Sequence, residues 1–294
     1  MNPSILICIC TLSRKVMLRR CLEELQNALL ATKKLLEIRI LVVDNSSAGD
    51  MLGVVQTAKL ELDLNIVYFN ETIPGLANAR NAALALRNVG EDLIFIDDDE
   101  WPDTEWLEQL TKLAIARPKD IIGGDVIKVF SRGKDPFPDG FGQHNSYHPK
   151  VWGFGNVLLP SAILDGNLVQ FDPRYNHSGG EDSDFCYSAS ELGYAISRAS
   201  EAICYEEWEP ARTHHQAILK AERDKSQVLT NILLKHKTER FWTILKATIK
   251  VGLGVSFAVV GFVAKNPKVN RFEIMFAQGV GAIYGLSRKL PNRY

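Results

Sequence analysis

Four short apolar runs, each followed by a segment of helical spacing, constrain this chain more than any other feature. Ile5–Cys10, Ile38–Val43, Leu64–Phe69 and Leu93–Ile96 are strand-length runs, mostly without polar alternation. Such runs describe strands covered on both faces. Between and after them, Leu18–Leu36, Gly53–Leu62, Ala77–Asn88 and Trp106–Ala116 read as helices. The alternation predicts an α/β fold with a mostly parallel sheet flanked by helices. Sheets of that kind take ligands at the carboxyl ends of their strands. Thr11, Asp44 and Asp97–Asp99 fall at three such ends.

Beyond residue 120 the pattern loosens. Ile121–Phe130, Val157–Leu159 and Ala195–Tyr205 supply further strands, Glu181–Leu192 a helix, and residues 213–242 a polar helix. Gly133–Pro149 is rich in Gly, Pro, Asp and His, the composition of a long loop, and long loops in compact domains often act as lids. The chain has 294 residues, of which 46% are apolar and 23% charged, enough for a sizeable core.

Charge concentrates first at Asp97-Asp98-Asp99-Glu100. Four adjacent acids repel one another, and a solvated turn that caps the following helix does not need them, because Asp103 or Thr104 already offers the cap. Hard carboxylate oxygens suit Mn²⁺ or Mg²⁺, which in turn bridge phosphate oxygens. Pro74-Gly75 opens a small-residue helix whose Arg80 either meets a diphosphate or sits on the surface. Gly179-Gly180 precedes Glu181, Asp182 and Asp184, acids that a helix N-terminus favours with or without chemistry. Trp152-Gly153-Phe154-Gly155-Asn156 suits a sugar platform or ordinary packing at a turn, with Trp152 and Asn156 the candidate acceptor contacts.

The ordered set Cys10-Thr11, Val42-Val43-Asp44-Asn45-Ser46, Pro74-Gly75, Ala79-Arg80-Asn81, Phe95-Ile96-Asp97-Asp98-Asp99 and Gly179-Gly180-Glu181-Asp182 resembles glycosyltransferase family 2 over about residues 4–212. The resemblance implies a GT-A fold, Rossmann-like, and an inverting transferase. It implies that Thr11 and Asp44 contact the base and ribose of a nucleotide-sugar, by family default a UDP-sugar. Arg80 would then face the diphosphate, Asp97 and Asp98 would also contact the nucleotide-sugar, Asp97 and Asp99 would hold the metal with Asp99 as the direct ligand, Asp182 would be the catalytic base, and Glu181 would orient the site or the acceptor. Inversion is a single displacement, so a carboxylate must take the proton of the attacking hydroxyl, while cations stabilise the leaving diphosphate. Residues 206–215 resemble a segment that closes over the donor in bacterial polysaccharide members. Trp208, Arg212 and His215 are its candidate residues, and His214 or His215 either joins the metal or is simply exposed. A Gln-x-x-Arg-Trp pattern of processive synthases is missing. The implied division is 1–212 for the transferase, with 1–120 serving the nucleotide-sugar and 121–212 the acceptor, and 213–294 as a helical tail.

The tail has its own signature. Residues 235–294 carry eleven Lys/Arg against Glu239 and Glu273, whereas the rest of the chain is acidic. Val251–Ala264 is a fourteen-residue run without charge, and Ile274–Leu286 is a second apolar stretch. Both are short for a span, which takes about twenty residues, so helices in the membrane interface are expected. A spanning or re-entrant helix and a buried hairpin are the alternatives. A membrane surface met by residues 243–294 would bring the enzyme to a polyprenyl-diphosphate-linked or glycan acceptor on the cytoplasmic face of the inner (plasma) membrane. Five scattered cysteines argue for a reducing compartment, no signal peptide is visible, and no nucleic-acid partner is expected. Two rivals remain. A nucleotidyltransferase would carry a glycine-rich loop after the first strand, where this chain has Thr11-Leu12-Ser13-Arg14-Lys15. A membrane-associated binding scaffold would have no use for a base.

Overall fold

A computed structural model describes residues 4–32, 36–130, 152–166, 169–208, 212, 214–236, 245, 248–249, 271–287 and 289–291. The first half alternates as read: β1 (Ser4–Thr11), α1 (Lys15–Ala31), β2 (Glu37–Asp44), α2 (Leu52–Glu61), β3 (Ile66–Asn70), α3 (Leu76–Leu86) and β4 (Asp92–Asp97). Then come β5 (Glu100–Pro102), α4 (Trp106–Ala116), β6 (Ile121–Val129), β7 (Asn156–Leu159), α5 (Ser161–Leu164), α6 (Glu181–Glu191), β8 (Ile196–Glu207), α7 (His215–Lys235) and α8 (Arg271–Gly285). The eight strands form one sheet in the order β3-β2-β1-β4-β7-β6-β8-β5.

The parallel expectation holds for β3-β2-β1-β4. Beyond β4 it is interrupted: β7 runs antiparallel to both β4 and β6, and β5 antiparallel to β8, while β6 and β8 are again parallel. The sheet is therefore mixed. An apolar run as short as Val157–Leu159 specifies burial and carries no information on direction. The three-residue strand β5 has no apolar pattern of its own and escapes a reading by periodicity.

Strand pleating divides the core. Ile5, Ile7 and Ile9 face Leu18, Leu22 and Leu25 of α1 and Trp106 and Leu110 of α4. Leu6 and Cys8 face Ala77 and Ala83 of α3 and Phe185 of α6. Successive side chains point to opposite faces, so a run with no polar residue needs a helical layer on each. Each fully buried Leu or Ile contributes roughly 1.5–3 kcal/mol. This places the ends of β1, β2 and β4 on a rigid floor, with Thr11 in register with Asp44 and Cys10 with Asp97.

Between β6 and β8 the pairing jumps: Gly124 faces Ala199, but Asp125 faces Ile203. Asn156 fills the break. Its Nδ2 donates to the carbonyls of Asp125 (3.0 Å) and Ala202 (2.9 Å), and its Oδ1 accepts from Trp106 Nε1 at 2.8 Å.

The second apolar stretch of the tail is a packed helix. α8 buries Ile274, Ala277 and Ala282, and sets Gly281 and Gly285 against the backbone of α7 at Arg223 and Gln227. This stretch packs against α7 on one face and leaves Phe276, Ile283 and Tyr284 exposed. Among the described residues no helix is long and apolar enough to cross a membrane. Val251–Ala264 and the loop Gly133–Pro149 lie outside the described residues.

Candidate active site

The strand ends enclose a cleft of about 700 Å³ whose walls include Thr11, Asn45, Gly75, Asp97, Asp99 and Arg212, a size usual for small-ligand sites. Thr11 Oγ1 donates to Asp98 Oδ2 at 2.7 Å. Arg14, just past β1, places Nη1 2.9 Å from Asp98 and 3.1 Å from Asp99. Arg212 reaches Asp99 at 3.3 Å and Glu206 at 2.8 Å. The acidic strand end thus sits between two guanidiniums from separate segments. Gly75 begins α3 with φ 130°, and a Cβ there would overlap Asn176. Asn176 and His177 complete that wall of the cleft.

Asp97 is the electrostatic centre. Its carboxyl is lifted to about 7, first by desolvation; Arg80 opposes this, and Asp99, Asp98 and Glu206 add to it. The side chain keeps 41% of its surface exposed, so a ligand can reach it. Glu100, behind it, is raised well above the usual range, mainly by burial and then by Asp97, Glu206 and Asp99. One of its oxygens is buried without a hydrogen-bond partner. Hard oxygen donors in a field that resists further negative charge fit a divalent cation at Asp97 and Asp99. Among the described residues no three His, Cys, Asp or Glu side chains form a complete metal cage.

Arg80 joins this strand end to α6. It is buried, with Nη1 2.6 Å from Glu181 Oε1 and Nη2 3.6 Å from Asp97 Oδ1. Phe95, Phe154 and Phe171 surround its guanidinium at 5.5–5.8 Å. Burial works against its charge, but Glu181, Asp97 and Asp182 outweigh it and push the pKa up. Burial likewise lifts the Glu181 carboxyl against the pull of Arg80. Arg80 therefore stands behind Asp97, joins it to Glu181, and does not lie open in the cleft. Asp182 is partly exposed; its Oδ1 accepts from the Ser183 amide at 2.6 Å. Its other oxygen lies 3.9 Å from the Cβ position of Gly153, in the loop whose Gly155 carbonyl accepts from the Asp97 amide.

Other expected site residues fall elsewhere. Asp44 is fully buried and accepts from the amides of Ser46 and Met51 and from Tyr68 Oη, so it shapes the turn after β2. The acceptor assignments need correction. Asn156 is 0% exposed with its amide committed to the sheet break, and Trp152 is buried against Gly123, where a Cβ would overlap its ring. Glycine-flanked aromatics there signal close packing. Trp208 packs on Phe130 and under Lys128, and His215 meets Glu273 of α8 at 3.4 Å. Of the described residues of the closing segment, Glu206 and Arg212 line the cleft, and Trp208 and His215 do not. Arg14, Asn176 and His177 were not among the expected site residues. Arg14 had one available signal, a basic residue directly after a strand that ends at the cleft.

The structure thus has an α/β architecture with an acidic cleft at its strand ends, and sequence comparison identifies the class. The sequence model described as Glycosyl transferase family 2 matches residues 6–166, more than half of the chain, which belongs to this family and is a hexosyltransferase-type glycosyltransferase. It is 26% identical over 263 residues to the succinoglycan biosynthesis protein ExoM of Rhizobium meliloti (strain 1021), covering 85% of this chain and 82% of that one. Its fold is similar to the mannosyltransferase PcManGT from Pyrobaculum calidifontis, solved with GDP-Man and Mn²⁺ (TM-score 0.67, 17% identity, 98% and 87% of the two chains). It is also similar to S. aureus TarS 1-349 in complex with UDP-GlcNAc (TM-score 0.50, 17% identity, 98% and 92%). The architecture is that of the GT-A glycosyltransferases.

Proposed function

We propose that this chain is an inverting, metal-dependent glycosyltransferase that moves a sugar from a nucleotide-sugar to a lipid-linked or polysaccharide acceptor in cell-surface polysaccharide assembly. One observation carries the reading: Arg80 touches Glu181 at 2.6 Å and approaches Asp97 to 3.6 Å. It thereby draws the acids of β4 and the acids of α6, far apart in sequence, to one cation. The resemblance to a succinoglycan biosynthesis protein supports the polysaccharide context, and the ligands in the two similar structures support a nucleotide-sugar and a divalent ion.

In this reading Asp97 and Asp99 hold Mn²⁺ or Mg²⁺, and the bound ion would supply charge neutralisation at the departing diphosphate. Arg14 and Arg212, now paired with Asp99, lie where they can turn to the diphosphate. Asp182 takes the proton of the acceptor hydroxyl. The new bond forms between that oxygen and the anomeric carbon as the carbon–phosphate-oxygen bond breaks, and the leaving diphosphate keeps the electron pair. Glu181, neutralised by Arg80, cannot serve as the base as readily. Residues 1–120 then serve the donor and 121–212 the acceptor, and the basic tail keeps the enzyme at the cytoplasmic face of the membrane that carries the acceptor.

Asp99→Ala and Asp182→Asn test this. The first is expected to abolish Mn²⁺-dependent nucleotide binding, read by calorimetry with GDP and UDP. The second is expected to keep that binding and lose transfer. Wild-type transfer by Asp182→Asn would remove the base assignment.

A further inference from the structure

Three acids open α6, and their fates differ. Glu181 and Asp184 are 2% and 1% exposed, whereas Asp182 is partly exposed. Residues three apart share a helix face, and neighbours are turned by about 100°. Glu181 and Asp184 therefore mark one inward stripe, and Asp182 projects off it.

Two different elements grip that stripe. Arg80 of α3 holds Glu181. Lys235, the last residue of α7, places Nζ 2.6 and 2.8 Å from the two Asp184 oxygens and 3.0 Å from Asp172. His236 sets Nε2 3.0 Å from Asp184 Oδ1 and Nδ1 3.0 Å from Glu191 Oε1, two turns further along α6. Its ring stacks on Tyr187 at 5.5 Å. Val228 and Ile232 of α7 pack on Tyr175 and Tyr187. At Gly180, immediately before the acids, the backbone has φ 98°, and a Cβ would overlap Val228.

We propose that Lys235 and His236 are positioning residues, which fix the rotation of α6 about its axis and so aim Asp182. The inference rests on the assignment of Asp182 as the base. A buried carboxylate that loses its cation carries a large desolvation penalty. α6 relieves it by turning Asp184 toward water, and Asp182 swings with it. Contacts at Glu181, Asp184 and Glu191 span nearly the whole helix, and three points on one stripe set a rotation that one contact would not.

The test uses the full chain with Lys235→Met, His236→Gln and both together, against Lys235→Arg as the conservative variant. Amide hydrogen exchange at residues 182–185 is expected to rise about tenfold or more in the double variant. Exchange in β1 and β4, and GDP or UDP binding with Mn²⁺, should stay as in the wild type, and Lys235→Arg should keep slow exchange. With GDP-mannose or UDP-N-acetylglucosamine, whichever turns over, kcat should fall about tenfold at unchanged donor KM. Unaltered exchange at 182–185, or a rise shared equally by β1 and β4, overturns the proposal. Asp182→Asn is measured alongside. If α6 loosens in the double variant while Asp182→Asn turns over at the wild-type rate, the fault lies in the base assignment, and the aiming role falls with it.

Discussion

In the proposed reading, a proton and a cation compete for the oxygens of Asp97. Its carboxyl is lifted to about 7, chiefly by desolvation, against about 4 in an unfolded chain. The folded, metal-free protein therefore holds a proton that the unfolded chain has released. Between about pH 4 and 7 the contribution of this group to stability falls as pH rises, because its folded form holds more protons there. A divalent ion bound at Asp97 would offset that loss by replacing the proton. Mn²⁺ affinity is expected to weaken as pH drops below about 7, approaching tenfold per pH unit, and the Mn²⁺-induced rise in Tm should be larger near pH 8 than near pH 6. Calorimetry across that range checks it, and Asp97→Asn should flatten the dependence. Equal affinities at the two ends would mean that Asp97 is not a ligand.

Elements were more legible than the contacts between them. Apolar runs and spacing located the early strands and helices to within a few residues, because burial on both faces leaves a dense signal. The acids at 97–99 stood out because adjacent carboxylates repel one another, whereas those at 181–182 stood out only beside the other motifs, since a helix N-terminus favours acids in any case. Asn156 and Trp152 misled, since an amide and an indole beside glycines look alike whether they bind sugar or fill a break in a sheet; only the partners, Asp125, Ala202 and Gly123, tell them apart. Arg80 was found but its depth was not, because its counter-ion Glu181 is 101 residues away. The contact of α7 with the turn before α6 is likewise invisible in sequence, and two glycines test it. Gly180 and Gly193 both have φ near +90°, yet only Gly180 meets another helix; Gly193 has open space. Gly193→Ala should cost about 1–2 kcal/mol from backbone strain. Gly180→Ala should cost more, since α7 must also shift. Urea denaturation of both variants decides, and equal losses would deny α7 its buttressing role.

At the scale of the molecule, an acidic catalytic body carries a basic end. Residues 235–294 hold eleven Lys/Arg against two acids, although α8 within them is packed on α7. If this end meets an anionic surface, the full chain should float with phosphatidylglycerol-containing vesicles, much less with neutral ones, and should be released by salt, since attraction to such a surface is screened within a Debye length. Phe257→Glu with Val260→Glu should weaken flotation further; undiminished flotation by that variant would remove the apolar run from the interface. The break between β6 and β8, sealed by Asn156, gives the molecule a seam. β8 and β5 lie on one side of that seam, and the register that aligns Thr11, Asp44 and Asp97 lies on the other. A shift in the pairing of β8 can thus be absorbed at the break and need not propagate to the strand ends that floor the cleft.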